Sequence, residues 1–277
     1  METESTNKKN KTRRDFFIAS SAIAGGLISL SLLNHLKALS TGSVSGTDTA
    51  SSVTGKSNNT SKNAGDSEGH WYGFGFDIEK CIGCGNCALA CKKENDIPVE
   101  PFFFRTWVEQ YTTKNDETTV IESPNGGIDG FKQSVPEEDI FKSYFVPKTC
   151  NHCAKSPCEQ VCPVGATFIT PDGVVLIDEK YCLGCGYCIQ ACPYGCRYMH
   201  PEKHVADKCT FCYHRIAKGL QPACVEVCPT GARQYGDLHD KKSSLVAFLK
   251  EHTCRVLKPQ LNTKPKLFYN ALSEEVK

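Results

Sequence analysis

The chain has 277 residues, 18 of them cysteine, and a formal net charge of +1. A balance this even excludes a large basic field for nucleic acid. So dense a cysteine content makes thiol chemistry the first question.

Residues 1–40 read as a targeting segment. Thr12-Arg13-Arg14-Asp15-Phe16-Phe17 follows Lys8, Lys9 and Lys11, and a mildly apolar stretch runs from Ile18 to Leu36. That is a twin-arginine signal pattern. No clean small-x-small cleavage site stands out, which leaves cleavage or retention as an anchor open. The twin-arginine route exports folded chains, so it favours a cofactor inserted before export over disulfides formed afterwards. Export to the periplasm or the outer face of the cytoplasmic membrane is therefore expected. Residues 41–69 are Ser, Thr, Gly, Asn and Lys with almost no large apolar side chain, the composition of a flexible linker. The folded unit is expected over 70–277, and no later stretch predicts a membrane span.

Sixteen cysteines then fall into four quartets: Cys81, Cys84, Cys87, Cys91; Cys150, Cys153, Cys158, Cys162; Cys182, Cys185, Cys188, Cys192; and Cys209, Cys212, Cys224, Cys228. The first and third are spaced C-x2-C-x2-C-x3-C. Pro163, Pro193 and Pro229 follow the last cysteine in three quartets, and Lys92 takes that place in the first. This is the bacterial ferredoxin spacing, in which three close thiolates wrap a cubane and the fourth reaches the neighbouring cluster. Four [4Fe–4S] clusters are predicted, with iron held by these sixteen cysteines. The plainer alternatives are disulfides or a structural zinc module, but zinc knuckles have no use for the third cysteine or the C-x3-C-P tail.

Between the first two quartets, about Asn95 to Val146, lies an insertion with Phe102-Phe103-Phe104 and Trp107, either a docking surface or a local strand of the chain's own core. Between the second and third, Gly165 to Ile169 and Val174 to Ile177 flank Pro171-Asp172-Gly173, a hairpin pattern. That hairpin joins quartets two and three, so Cys150, Cys153, Cys158 and Cys192 should hold one cluster and Cys162, Cys182, Cys185 and Cys188 its neighbour. Phe74 to Lys80 precedes the first quartet, and Gly231 to Tyr235 follows the fourth, in the same pattern. A second hairpin is thus predicted from distant ends. It puts Cys81, Cys84, Cys87 and Cys228 on one cluster and Cys91, Cys209, Cys212 and Cys224 on another. The fold expected is α+β, two duplicated bacterial ferredoxin-like units with loop insertions.

Cys196, in Gly195-Cys196-Arg197, takes a small-residue slot and reads as a packed free thiol; Cys254 has no assigned role. His152 lies between two ligands and is expected to pack or tune rather than ligate. His200, His204 and His214 read as surface or hydrogen-bonding residues. A short helix begins at Ser243-Ser244, its Leu245, Val246, Phe248 and Leu249 forming an apolar face. No phosphate loop, nucleophile elbow or His/carboxylate metal pattern is present. Clusters with four cysteine ligands have no open position, so no direct small-molecule substrate is expected and the chemistry is electron transfer.

The stretch from about Trp71 to Leu272 resembles the four-cluster subunits of complex iron–sulfur molybdoenzymes, the dimethyl sulfoxide reductase family. Cys192-Pro193-Tyr194-Gly195, Ala206-Asp207-Lys208-Cys209-Thr210-Phe211-Cys212, Pro222-Ala223-Cys224-Val225-Glu226 and Val256-Leu257-Lys258-Pro259 carry the likeness. Exported subunits of the tetrathionate and polysulfide reductase type look nearest. The resemblance implies a molybdopterin catalytic subunit near the cluster on Cys81, Cys84, Cys87 and Cys228. It implies a quinone-reactive integral membrane subunit near the cluster on Cys162, Cys182, Cys185 and Cys188. Nitrate reductase relatives carry tryptophan at one ligand position of the third motif; Cys185 stands here. An equivalent relay for a formate dehydrogenase, hydrogenase or sulfite-linked complex is the alternative. A free-standing ferredoxin would need neither the insertion nor the C-terminal extension.

Overall fold

The computed structural model describes residues 69–98, 100 and 102–276. The expected signal segment and all of the expected linker except Gly69 lie outside the described residues. Short helices are interspersed among paired strands, an α+β arrangement.

Strand β1 (Tyr72–Asp77) runs into the first quartet, whose helix α1 (Asn86–Glu94) spans nine residues. The insertion then builds its own antiparallel sheet from β2 (Thr106–Lys114), β3 (Thr119–Glu122) and β4 (Ile140–Thr149), with β2 in the centre. Quartet two carries helix α2 (Pro157–Gln160). It leads to β5 (Thr167–Ile169) and β6 (Val175–Ile177), which pair antiparallel through Phe168 opposite Leu176. Quartet three carries α3 (Tyr187–Gln190). The short strands β7 (Tyr198–Met199) and β8 (Ala206–Asp207) then pair before quartet four. That quartet holds α4 (Tyr213–Ile216) and α5 (Ala223–Glu226) and leads into β9 (Arg233–Asp237). Helix α6 (Ser244–Glu251) and strand β10 (Leu267–Asn270) complete the described residues.

The proline rule explains the helix lengths. Proline after Cys162, Cys192 and Cys228 disfavours helical backbone at the preceding cysteine and cannot donate to the ladder, so α2, α3 and α5 are single turns. Lys92 lifts that restriction, and α1 continues to Glu94. Its ammonium folds back to donate to Pro98 O (2.7 Å) and Glu100 O (2.9 Å), over the Phe104 ring.

The hairpin from distant ends is present. Strand β1 pairs antiparallel with β9, Phe74 opposite Tyr235 and Phe76 opposite Arg233. Strand β10, which the sequence did not suggest, adds parallel to the other edge of β1. Phe74, Phe76, Leu245, Leu267 and Tyr269 are all fully buried around this sheet, and Phe74 meets Phe211 edge-on at 4.5 Å. Helix α6 forms as expected, with Leu245 and Phe248 as its buried face. The insertion is partly core and partly surface: Val108, Tyr111 and Val146 are buried, whereas Phe102 is 85% and Phe141 74% exposed. Among the described residues no helix is long and apolar enough to cross a membrane.

Candidate iron–sulfur centres

Each quartet opens with a knuckle whose residue two positions after the first cysteine has positive φ: Gly83 (68°), His152 (41°), Gly184 (66°) and Phe211 (56°). Left-handed backbone is natural for glycine and costs other residues about 1–2 kcal/mol. At Gly184 an added Cβ would stand 2.3 Å from His204 O, so only glycine fits there. The turn aims amide N–H groups at sulfur. His152 N–H donates to Cys150 Sγ at 3.5 Å and Phe211 N–H to Cys209 Sγ at 3.4 Å. Thr167 N–H reaches Cys162 Sγ at 3.5 Å, and Asn95 Nδ2 lies 3.6 Å from Cys91 Sγ.

Three thiol sets are gathered around separate cavities. Cys81, Cys84, Cys87 and Cys228 line one, with Arg233 beside them. Cys91, Cys209, Cys212 and Cys224 line the second, with Phe74 and Phe211. Cys150, Cys153, Cys158 and Cys192 line the third, with Arg197. In each, the strand pairing of β1 with β9 or β5 with β6 brings in the cysteine from the partner quartet. The fourth set is more open. Cys182 and Cys188 act on each other electrostatically, Cys185 is exposed, and Cys162 stands beside the start of β5.

The sets follow one another in a row. Cys224 and Cys87 interact electrostatically across the first and second sets. Cys150 and Cys209 do so across the third and second, and Cys188 and Cys158 across the fourth and third. Exposure is graded along this row. The second set is buried throughout, and the third is buried except for the partly covered Cys192. Each outer set shows one exposed thiol, Cys84 or Cys185. Exposed apolar side chains flank these ends: Ile82 (57%) near Cys84, and Tyr181 (67%), Leu183 (70%) and Tyr187 (59%) near Cys185.

The donor chemistry decides what can be held. All eighteen cysteines are free thiols. Among the described residues no three Cys, His, Asp or Glu side chains converge on a point where one metal ion could sit. Thiols ringing a cavity suit a polynuclear group. Burial pushes the thiols upward, Cys150 and Cys224 to about 12 and Cys81 and Cys153 to about 11. Such thiols become thiolates only against strong positive charge. Fully buried Arg233 has Nη1 and Nη2 without a hydrogen-bond partner, and Arg197 has Nε and Nη2 likewise, among the described residues. Unpaired buried cations demand a buried anion. A thiolate-ligated iron–sulfur cluster, net negative, meets both needs, so the residues fit the group.

The remaining residues keep modest roles. Cys196 is buried, its sulfur 3.0 Å from Thr149 O and 3.3 Å from Tyr194 O. The neighbouring Cys196 outweighs burial in drawing Cys192 down to about 6, helped by the Cys196 and Tyr194 amides. Cys254 is partly exposed, and burial with the nearby Asp77 charge raises its pKa. His152 is fully buried; its Nδ1 accepts Val175 N–H at 3.1 Å, and its ring stacks on Phe211 at 3.7 Å. His200 is buried with Nδ1 accepting the Glu202 and Lys203 amides, His204 is exposed, and His214 pairs with Glu94 at 2.7 Å. The stack and the buried cations are the functional features that sequence reasoning missed. Arg197 and Arg233 each stand five residues after the last cysteine of a quartet, and superposing the quartets would have exposed that repeat.

Two family models described as a 4Fe-4S dicluster domain match, over residues 80–166 and 141–238. A subunit of the tetrathionate reductase of Salmonella typhimurium is 41% identical over 207 residues, 74% of this chain and 74% of that protein. The corresponding tetrathionate reductase subunit of Archaeoglobus fulgidus is 43% identical over 205 residues, 74% of this chain and 84% of that protein. A polysulfide reductase chain of Wolinella succinogenes is 37% identical over 198 residues, 71% of this chain and 92% of that protein. With thiol-lined cavities in a row and identity at this level along most of the folded unit, this protein belongs to the 4Fe-4S dicluster family of reductase iron–sulfur subunits.

Proposed function

We propose that this chain relays single electrons along four [4Fe–4S] clusters between a quinone-reactive membrane subunit and a molybdopterin-containing catalytic subunit. The ligand sets are Cys81, Cys84, Cys87 and Cys228; Cys91, Cys209, Cys212 and Cys224; Cys150, Cys153, Cys158 and Cys192; and Cys162, Cys182, Cys185 and Cys188. The clusters supply one-electron redox change when bound. The chain holds them in sequence, shields the middle pair from water and leaves the outer pair reachable.

The observation that carries this reading is the graded burial along the row, sealed at the middle and exposed at Cys84 and Cys185. A carrier with one site needs a single exposed edge, whereas a relay between two partners needs two. The apolar side chains beside both exposed thiols suit permanent docking. On this reading residues 70–277 form two ferredoxin-like units, one from quartets two and three and one from quartets one and four. The catalytic subunit docks at the Cys84 end and the membrane subunit at the Cys185 end. Arg13 and Arg14 support export by the twin-arginine route, to the periplasm or the outer face of the cytoplasmic membrane.

Cys182→Ser in the membrane-bound complex tests both ends at once. Quinol-linked turnover should fall to background while dye-linked activity of the catalytic partner stays near wild type. Unchanged quinol-linked turnover, or a purified chain holding zinc in place of about sixteen irons, would overturn the reading.

A further inference from the structure

Arg233, Lys208 and Arg197 are buried to 2%, 0% and 5% exposure, and none forms an ion pair with a carboxylate among the described residues. Arg233 lies over the Phe76 ring at 4.4 Å, whereas several other buried cations have a carboxylate at hand. Arg105 is bound to Asp207 at 2.9 Å and Lys148 to Glu109 at 2.7 Å. Lys266 lies over the Trp71 ring, with Asp172 acting on it electrostatically.

The thiolates acting on the three cations reveal a pattern. Arg233 faces Cys87, Cys81 and Cys228 of the first set and Cys224 of the second. Lys208 faces Cys150 and Cys158 of the third set and Cys209 of the second, and its ammonium donates to Cys209 O at 2.7 Å and to Val175 O. Arg197 faces Cys158 and Cys150 of the third set and Cys188 of the fourth, its Nη1 donating to Thr167 Oγ1 at 3.2 Å. Arg233 lines the cavity of the first set, Arg197 lines that of the third, and Lys208 donates to the carbonyl of Cys209 in the second, while each also acts electrostatically on thiols of a neighbouring set.

We propose that Arg233, Lys208 and Arg197 are spacer charges of the relay, each acting on two successive clusters to offset their mutual repulsion and raise both potentials. The inference rests on the four-cluster reading above. Four net-negative groups in a low-dielectric row repel one another, and an electron placed on one disfavours the next. A fixed cation between two clusters lowers that penalty for both, so neighbouring sites can be occupied in sequence. Arg233 and Arg197 hold the same place in the two halves, each five residues after a closing cysteine. Lys208 bridges Val175 O and Cys209 O and acts electrostatically on His152, which stacks on Phe211. These are positioning charges; their action on two sets, rather than bonds to the iron, gives them the role.

Potentiometric titration of the loaded full-length chain, followed by electron paramagnetic resonance, tests the pattern without assigning any signal to a site. Arg233→Met should shift two of the four midpoint potentials downward, and Arg197→Met the other two. Lys208→Met should shift one from each pair. Arg233→Lys and Arg197→Lys, which keep the charge, should restore wild-type values. If a Met variant fails to load, the corresponding Gln variant against the Lys variant makes the same comparison. Unmoved potentials, or all four moving together, in variants that retain about sixteen irons would overturn the spacer role alone. A wild-type chain with fewer than four clusters would overturn the relay reading and this inference with it.

Discussion

The two cysteine-bearing halves build the same strand pair by different routes. In one, β5 and β6 are joined by the tight turn Pro171-Asp172-Gly173, and the local core is small: Val175, Ala206, Cys158 and Cys188, with Ile169, Ile177 and Ile189 at its edge. In the other, β1 and β9 come from ends of the folded unit and are joined by no turn at all. Closing so long a loop costs more entropy than closing a short one, though the cost grows only logarithmically. This half carries the additional support: β10 on the open edge of β1, helix α6 across its face, and an aromatic core of Phe74, Phe76, Phe211, Tyr235 and Tyr269. What local sequence does for the first half, distant packing does for the second.

Core truncations should show this difference most strongly. Phe74→Ala removes a fully buried ring packed against Phe76, Phe211 and Tyr235, and is expected to cost about 3–5 kcal/mol. Val175→Ala, equally buried in the other half, deletes far less and should cost about 1–3 kcal/mol. Denaturant unfolding of the loaded chain, followed by visible absorbance and far-ultraviolet circular dichroism, measures both. Equal losses would mean that the two halves share their stability evenly and that the aromatic core is not special to the split one.

A smaller effect separates α6 from the rest of that support. A Cβ added at Gly75 would lie 2.6 Å from Phe248 Cδ1 and 3.0 Å from Leu245 Cδ1, so Gly75→Ala forces the helix away from β1. Overpacking of this kind costs about 1–3 kcal/mol. Trimming the ring, as in Phe248→Leu, should recover part of that loss when combined with Gly75→Ala, and the double-mutant cycle gives the coupling. Independent, additive losses would show that α6 does not brace the sheet.

The contrast between halves also marks what sequence could reveal. Cysteine spacing is a local pattern, so the four quartets were legible in the residues themselves, and three of the four expected thiol sets line cavities. The β-rich runs flanking them were legible too, because one precedes the first quartet as another precedes the third, and one follows the fourth as another follows the second. Strand β10 was not. Leu267–Asn270 is four residues long and pairs in parallel with a strand nearly the whole folded unit away, which no local pattern encodes. The buried cations were hidden for another reason. A lysine or arginine beside a cysteine motif ordinarily reads as solvated, and only the packing of two halves puts Lys208 at 0% exposure. His152 and Phe211 occupy equivalent knuckle positions, yet their stacking depends on how the halves meet.

The smallest expected effect concerns how the split hairpin is fastened. The contiguous hairpin closes through its own backbone, with Thr170 N–H donating to Val174 O and Gly173 N–H to Thr170 O, both at 2.9 Å. The split hairpin adds a carboxylate to its own backbone bond, from Leu238 N–H to Trp71 O at 2.9 Å. Asp237 Oδ1 accepts the Trp71 and His239 amides at 2.8 and 2.9 Å, and Oδ2 lies 2.7 Å from His70 Nδ1. Burial alone would raise this carboxyl, but the donated N–H groups and His70 hold it below the usual carboxylate range, as expected of a stabilised anion. Asp237→Ala should cost only about 1 kcal/mol, because the freed amides lie near water and can be rehydrated. The informative readout is local. Amide hydrogen exchange at Trp71 and His239 should quicken in Asp237→Ala and stay near wild type in Asp237→Asn, which keeps the accepting oxygen. Thr170→Val, which removes the side-chain acceptor of Val174 N–H, should loosen the contiguous turn without touching those two amides. If Trp71 stays protected in Asp237→Ala, the carboxylate is not the clasp, and the β1–β9 ladder with β10 on the other edge holds β1 in register.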